Sequence, residues 1–305
     1  MISTKVAKTP NSHALILITA SAGCWGLGTV MSKSVLATVP PLSVLTVQLS
    51  TSILVLWVLS TLQGHTARLT QFSWFTWIQL GSPGVFEPGL SYGFGLIGLS
   101  LSSASQAALI GATEPVFIVG LAWLMFRESI SLRLLMLSAL AMIGVMLTVS
   151  SDTASGSQAL LGNLWILIGT FCAAFYVILS RHAVANHPPL ILSALQQTMG
   201  LVCIVLFSWN FGAGLQFSST IPTQIWLLAA LSGVVQYALA FWLYLSAIRL
   251  IPVSIAAQFL SLIPVFGVGG AYLFLGERLT LVQCLGMAIT IAAVSQISRL
   301  QSSHE

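Results

Sequence analysis

Two glutamates, Glu87 and Glu114, carry most of the chemistry this chain offers. Each is followed directly by proline, Pro88 and Pro115, and each sits near the centre of a long apolar run, 74–99 and 104–126. On insertion scales an acidic side chain at a membrane-helix centre costs about 2.5–3.5 kcal/mol, so such residues face protein or a polar cavity and read as functional by default. Proline removes a helical hydrogen bond and crowds the carbonyl four residues earlier. Those earlier residues are Gly84 and Gly111, in both cases the least crowded choice. A broken helix with a freed carbonyl beside a carboxyl group is a place to hold an ammonium or a proton. The two runs are consecutive and antiparallel, which makes the glutamates candidate neighbours and the pair a candidate for proton coupling. A structural alternative stays open, in which each carboxyl donates to an orphan carbonyl and stabilises a kinked helix.

Polar and aromatic residues at comparable depth could complete a pocket, because small-molecule sites are mostly apolar with a few placed polar groups. Trp25, Tyr92, Tyr176, Gln236, Tyr237, Trp242, Tyr244 and Gln258 lie at such depth. From these the candidate substrate- or proton-binding set is Glu87, Glu114, Gln236, Gln258, Tyr92, Trp25, Tyr176 and Trp242, with Pro88, Pro115 and Pro264 as candidate kinks. Aromatic faces in such a pocket suit an ammonium. Glu128 and Glu277 sit at loop ends beside Arg127 and Arg278, where capping and turn formation account for them. Gly89 with Gly93 and Ala108 with Ala112 give small faces for close helix packing.

The elements that position these residues must be membrane helices. Only 5% of the 305 residues are charged, against about 25% in soluble domains, and the mean hydropathy is +0.98. The ten basic residues are scattered, which excludes nucleic acid as a partner. Cys24, Cys172, Cys203 and Cys284 lie in apolar stretches without motif spacing, so neither a disulfide framework nor a zinc site is expected. The histidines sit near run ends or in loops, and no GxxxxGK[ST] loop occurs. We expect no metal, cofactor or ATP coupling.

A bilayer core of about 30 Å takes roughly 20 apolar residues per helix. Such runs fall at 14–36, 42–62, 74–99, 104–126, 132–149, 162–184, 190–209, 224–248, 252–275 and 281–298, five in each half, around the Ser150 to Gln158 linker. The halves are copies. Ser105–Ser131 returns as Ser254–Thr280 at an offset of 149, with Pro115 matching Pro264, Phe117 matching Phe266 and Glu128 matching Glu277. Cys24, Ser32, Pro40, Pro41, Leu42 and Gln48 return at an offset of 148 as Cys172, Ser180, Pro188, Pro189, Leu190 and Gln196. The first run therefore belongs to the mature fold and is not expected to be cleaved as a signal peptide. With the N-terminus inside, Lys5, Lys8, Arg68, Arg127, Arg133, Arg181, Arg249 and Arg299 fall on the cytoplasmic side and Lys33 and Arg278 outside, as the positive-inside rule requires. Five spans per copy put the second copy in upside down. The expected fold is an all-α integral membrane protein of ten transmembrane helices, arranged as inverted five-helix repeats over 1–152 and 153–305, a common secondary-transporter construction.

At this point the chain resembles the EamA-like branch of the drug/metabolite transporter superfamily. The resemblance rests on the 5+5 layout, Trp25-Gly26 in the first span and Glu114-Pro115-Val116-Phe117 in the fourth. It rests also on the paired loops Phe126-Arg127-Glu128-Ser129-Ile130-Ser131 and Leu275-Gly276-Glu277-Arg278-Leu279-Thr280. Gln48 and Gln196 depart from it, standing where many members have a basic residue. The resemblance implies a carrier of small metabolites, in bacteria usually an exporter in the cytoplasmic membrane, with both termini cytoplasmic. The expected function is secondary transport of small organic metabolites such as amino acids or amines, by alternating access, with proton coupling suggested by the carboxyls. The expected partners are the solute and the lipid bilayer; nothing sets the oligomeric state. A membrane-embedded enzyme is the first rival, but it needs clustered His, Asp or Ser chemistry, and the chain offers one aspartate, Asp152. A sensor or assembly subunit is the second, and it predicts no solute flux.

Overall fold

The computed structural model describes residues 12–64, 73–101, 110–111, 113–127, 130–149, 157–210, 215, 217–218, 220–275 and 280–303, and these are helical apart from short connections. The first half runs α1 (Ser12–Leu36), α2 (Pro41–Leu62), α3 (Trp74–Gly81), a π-helical segment (Val85–Leu90), α4 (Ser91–Leu101), α5 (Glu114–Phe126) and α6 (Leu132–Val149). The second runs α7 (Ser157–Val184), α8 (Pro189–Asn210), α9 (Thr223–Gly233), a second π segment (Val234–Leu239), α10 (Ala240–Ile248), α11 (Val253–Phe259), a 3-10 turn (Leu260–Leu262), α12 (Ile263–Leu275) and α13 (Leu281–Ser303). Among the described residues, six helices are long and apolar enough to cross a membrane: Ser12–Leu36, Pro41–Leu62, Leu160–Val184, Pro189–Leu206, Thr223–Ile248 and Val253–Phe274. Glu114–Phe126, Leu132–Leu147 and Leu281–Ile297 are shorter apolar helices. Stretch 74–101 is broken at Ser82 and again at Glu87, whose backbone is extended (φ −146°, ψ 127°). The linker residues 150–156, the start of the 104–126 run, Ala108, Ala112, Glu128, Glu277 and Arg278 lie outside the described residues.

Polarity runs opposite to that of a soluble protein. Ile16, Leu54, Trp123, Leu124, Leu164, Trp209, Leu273 and Leu285 are exposed, whereas Ser21, Ser52, Gln48, Gln196, Gln197 and Gln258 are buried. Lipid accepts the first group, and a buried amide or hydroxyl needs an internal partner. Most of these have one. Gln48 Nε2 donates to Ser32 Oγ at 2.7 Å and Ser232 Oγ at 2.8 Å, tying α2 to α1 and α9. Gln196 Nε2 donates to Ser180 Oγ at 3.2 Å, tying α8 to α7 through residues that match Gln48 and Ser32 at the same offset of 148. Ser21 Oγ donates to the Ala240 carbonyl at 2.7 Å, tying α1 to α10.

The centre of the molecule is made where α1, α7, α8 and the two π segments meet. Closest approach comes at glycine: a Cβ on Gly84 would strike the Gln196 carbonyl, and one on Gly233 the Gln48 carbonyl. Gly84 therefore has a packing role besides the one its place before Pro88 suggests. The last helices of the halves, α6 and α13, pack on each other, with Gly144 against Gly286 and Thr290.

Candidate functional site

Glu87 owes its position to the break between α3 and α4. Its extended backbone interrupts the helix ahead of Pro88, where the peptide bond is cis. Glu114 is the first residue of α5, and Pro115 follows inside the first turn, where its missing N–H has no helical partner to lose. Pro264 likewise stands second in α12, after the 3-10 turn. Each proline thus coincides with a helix break or start. The second π segment carries Gln236 at the position that matches Glu87 at an offset of 149, but it contains no proline. There Gln197 Nε2 donates to the Tyr237 carbonyl at 2.9 Å, and Ser52 Oγ donates to Gln197 Oε1. A side chain from α8 thus satisfies a carbonyl inside the π segment.

These breaks converge on a central cavity of about 170 Å³ lined by Trp25, Thr29, Glu87, Tyr92, Glu114, Tyr176, Val177, Gln236, Tyr244, Leu260 and Ile263. Six of the eight candidate residues meet there: Glu87, Glu114, Gln236, Tyr92, Trp25 and Tyr176. The other two do not line it. Trp242 lines a separate polar cavity with Gln63, Asn186, His187 and Arg249. Gln258 is fully buried in α11, its amide nitrogen 3.5 Å from the Ser254 carbonyl and its Oε1 without a partner. Tyr244, outside the candidate set, is a lining residue, as are Thr29, Val177, Leu260 and Ile263. Thr29 was findable, since it falls one helical turn beyond Trp25 on the same face.

Glu87 and Glu114 both line this space. Four of the chain's five tyrosines, Tyr92, Tyr176, Tyr237 and Tyr244, lie within electrostatic reach of Glu87. Among the described residues the lining holds no lysine, arginine or histidine. Gln236 Oε1 accepts from Ser32 Oγ at 2.7 Å, and Gln196 Oε1 accepts from the Tyr176 hydroxyl at 3.1 Å. Trp25 packs edge-on against Phe241 (5.1 Å) and Tyr244 (5.5 Å), and Tyr176 edge-on against Phe241 (5.7 Å). Tyr176 and Tyr244 are buried, Glu87, Tyr92 and Glu114 are half-buried, and Thr29 is exposed. Aromatic faces, two carboxyls and no opposing cation make a site that favours positive charge.

The curated proteins that this chain resembles are named as uncharacterized transporters. The chain is 24% identical over 205 residues to the uncharacterized transporter YetK of Bacillus subtilis (strain 168), covering 65% of this chain and 61% of that one. It is 29% identical over 206 residues to the uncharacterized transporter YcbK of the same organism, covering 67% and 66%. Those matches span just under two thirds of each relative. A third, YvbV of the same organism, aligns at 23% identity over 292 residues and covers 95% of this chain and 92% of its own. A solved crystal structure shares the fold, with a TM-score of 0.80 at 14% identity over 96% of this chain and 98% of that one. Residues 12–150, and again 160–299, match the family described as EamA-like transporters, and the chain belongs to the EamA-like transporter family.

Proposed function

We propose that this protein is a secondary transporter, working as an exporter of small organic metabolites such as amino acids or amines across a bacterial cytoplasmic membrane. In this reading ten spans form two inverted five-helix repeats, 1–152 and 153–305, with both termini cytoplasmic and solute access alternating between them. The equivalent π segments, the Ser32–Gln48 and Ser180–Gln196 pairs and the two family matches support the repeat. No catalytic residue is assigned. The observation that carries the reading is the convergence of Glu87 and Glu114 on one central cavity at the junction of the halves.

Proton coupling follows from the same pair. A carboxylate withdrawn from water without a partner costs several kcal/mol, so in this reading the pair exchanges solute cations against protons. The titratable groups facing it are Tyr92, Tyr176, Tyr237, Tyr244 and Cys172. In sealed proteoliposomes containing a pH dye, a panel of amines and amino acids will elicit proton movement with the wild type and none with Glu87→Gln plus Glu114→Gln. Solute flux in that double variant with unchanged pH dependence would remove proton coupling.

A further inference from the structure

We propose that the cavity is built for a small primary ammonium that carries no carboxylate, held by three oxygens: the Glu87 and Glu114 carboxyls and the Tyr244 hydroxyl. This rests on the transporter reading and narrows its substrate class. Tyr244 supplies the observation independent of the two acids. Its side chain is 0% exposed, it lines the cavity, and its hydroxyl has no hydrogen-bond partner. Among the lining residues it is the one with such an orphan atom. Buried hydroxyls are normally satisfied, so an orphan in a cavity beside two carboxyls calls for a partner that the ligand brings.

Charge and hydrogen-bond chemistry select the ligand. A primary ammonium offers three N–H donors, one for each oxygen, and Trp25, Tyr92 and Tyr176 give its cation and apolar body aromatic faces. A quaternary ammonium keeps the charge and the aromatic contacts but has nothing to donate. An amino acid brings a carboxylate beside Glu87 and Glu114, where no Lys, Arg or His among the described lining residues can receive it. Like charges in one desolvated site repel, and the new carboxylate would be buried unpaired. Size agrees: about 170 Å³ holds roughly six waters' worth of liquid, below the 300–1,000 Å³ or so of drug-sized pockets.

The test uses the full-length protein and three probes with one isoamyl body: isoamylamine, isoamyltrimethylammonium and leucine, which is isoamylamine with a carboxylate added. Affinity is measured by calorimetry in nanodiscs and flux in proteoliposomes. Isoamylamine is expected to bind best, the trimethyl analogue about tenfold weaker for its lost donors, and leucine at least roughly 100-fold weaker. In Tyr244→Phe the amine should lose about tenfold while the trimethyl analogue is unchanged, a difference that a merely structural role for the hydroxyl does not produce. If that variant does not fold, the three-probe series on the wild type decides. Leucine binding as tightly as isoamylamine, the trimethyl analogue matching it, or no binding of the amine each overturns the proposal. Leucine flux without amine flux overturns it and leaves transport standing. Amine binding without flux under any gradient keeps this site chemistry and overturns transport.

Discussion

A methyl group added at Gly84 would land on the Gln196 carbonyl, whereas one added at Gly120 would meet nothing within 4 Å. Gly84→Ala forces backbone apart at the meeting of the first π segment and α8, and overpacking of that kind costs about 1–3 kcal/mol. Gly120→Ala removes a flexible residue from the interior of α5 and should stabilise by up to about 1 kcal/mol. Thermal unfolding in detergent will therefore lower the midpoint for the first and hold or raise it for the second; equal midpoints would refute the close-packing role. Side-chain direction is the part of the site least legible at this scale. Trp242 and Tyr244 are two residues apart in α10, which places them on opposite faces of the helix. Both are aromatic at similar depth, so composition ranks them alike, and the helix phase that sends Tyr244 inward is set by packing. Glu87, Glu114 and Gln236 needed no phase information. A carboxyl or amide in a long apolar run must turn away from lipid, and that necessity is visible in the residue type alone.

Helix breaks were legible where proline makes them and hidden where a neighbour does. Pro88, Pro115 and Pro264 each mark a break or start, but Val234–Leu239 leaves the α-helical pattern with no proline or interior glycine to announce it. The Gln197 amide and its Ser52 partner hold that segment from another part of the chain, a tertiary cause that local sequence does not display. Gln197→Leu should leave the Ser52 hydroxyl and Tyr237 carbonyl short of partners, at about 1–3 kcal/mol. The two copies of the Ser–Gln tie offer a cleaner measure. In double-mutant cycles, Ser32→Ala with Gln48→Leu and Ser180→Ala with Gln196→Leu should each return about 0.5–1.5 kcal/mol of coupling. The first pair should show the larger total loss, because Gln48 also holds Ser232 and Ser32 also donates to Gln236, against the single Tyr176 hydroxyl that Gln196 holds in the second. Zero coupling in both cycles would mean that these bonds do not tie α1 to α2 and α7 to α8 within each half.

At the scale of the whole molecule, positions that match between the two halves carry different residues near the cavity. Gly28 and Tyr176 occupy matching places in α1 and α7, as Glu87 and Gln236 do in the π segments. Both of the resulting contacts cross between the halves: Gln236 lies so close to α1 that a Cβ on Gly28 would strike it, and bulky Tyr176 of α7 stands within electrostatic reach of Glu87. If the halves are inverted copies, the two positions lie at equal depth on opposite walls of one cavity, and the carboxyl is transferable between them. Glu87→Gln alone removes a charge-assisted contact worth about 1.5–3 kcal/mol, so proton-linked flux should fall at least about tenfold. Adding Gln236→Glu restores a carboxyl to the same cavity, where the Ser32 hydroxyl that now donates to Gln236 Oε1 can donate to it instead. Flux in the exchanged variant should recover to within a few-fold of wild type, measured in the same proteoliposomes after both variants are shown to insert equally. An exchange no better than Glu87→Gln would tie the chemistry to one wall, and the cavity would then owe its selectivity to Tyr176 and the break at Pro88 rather than to the charge alone.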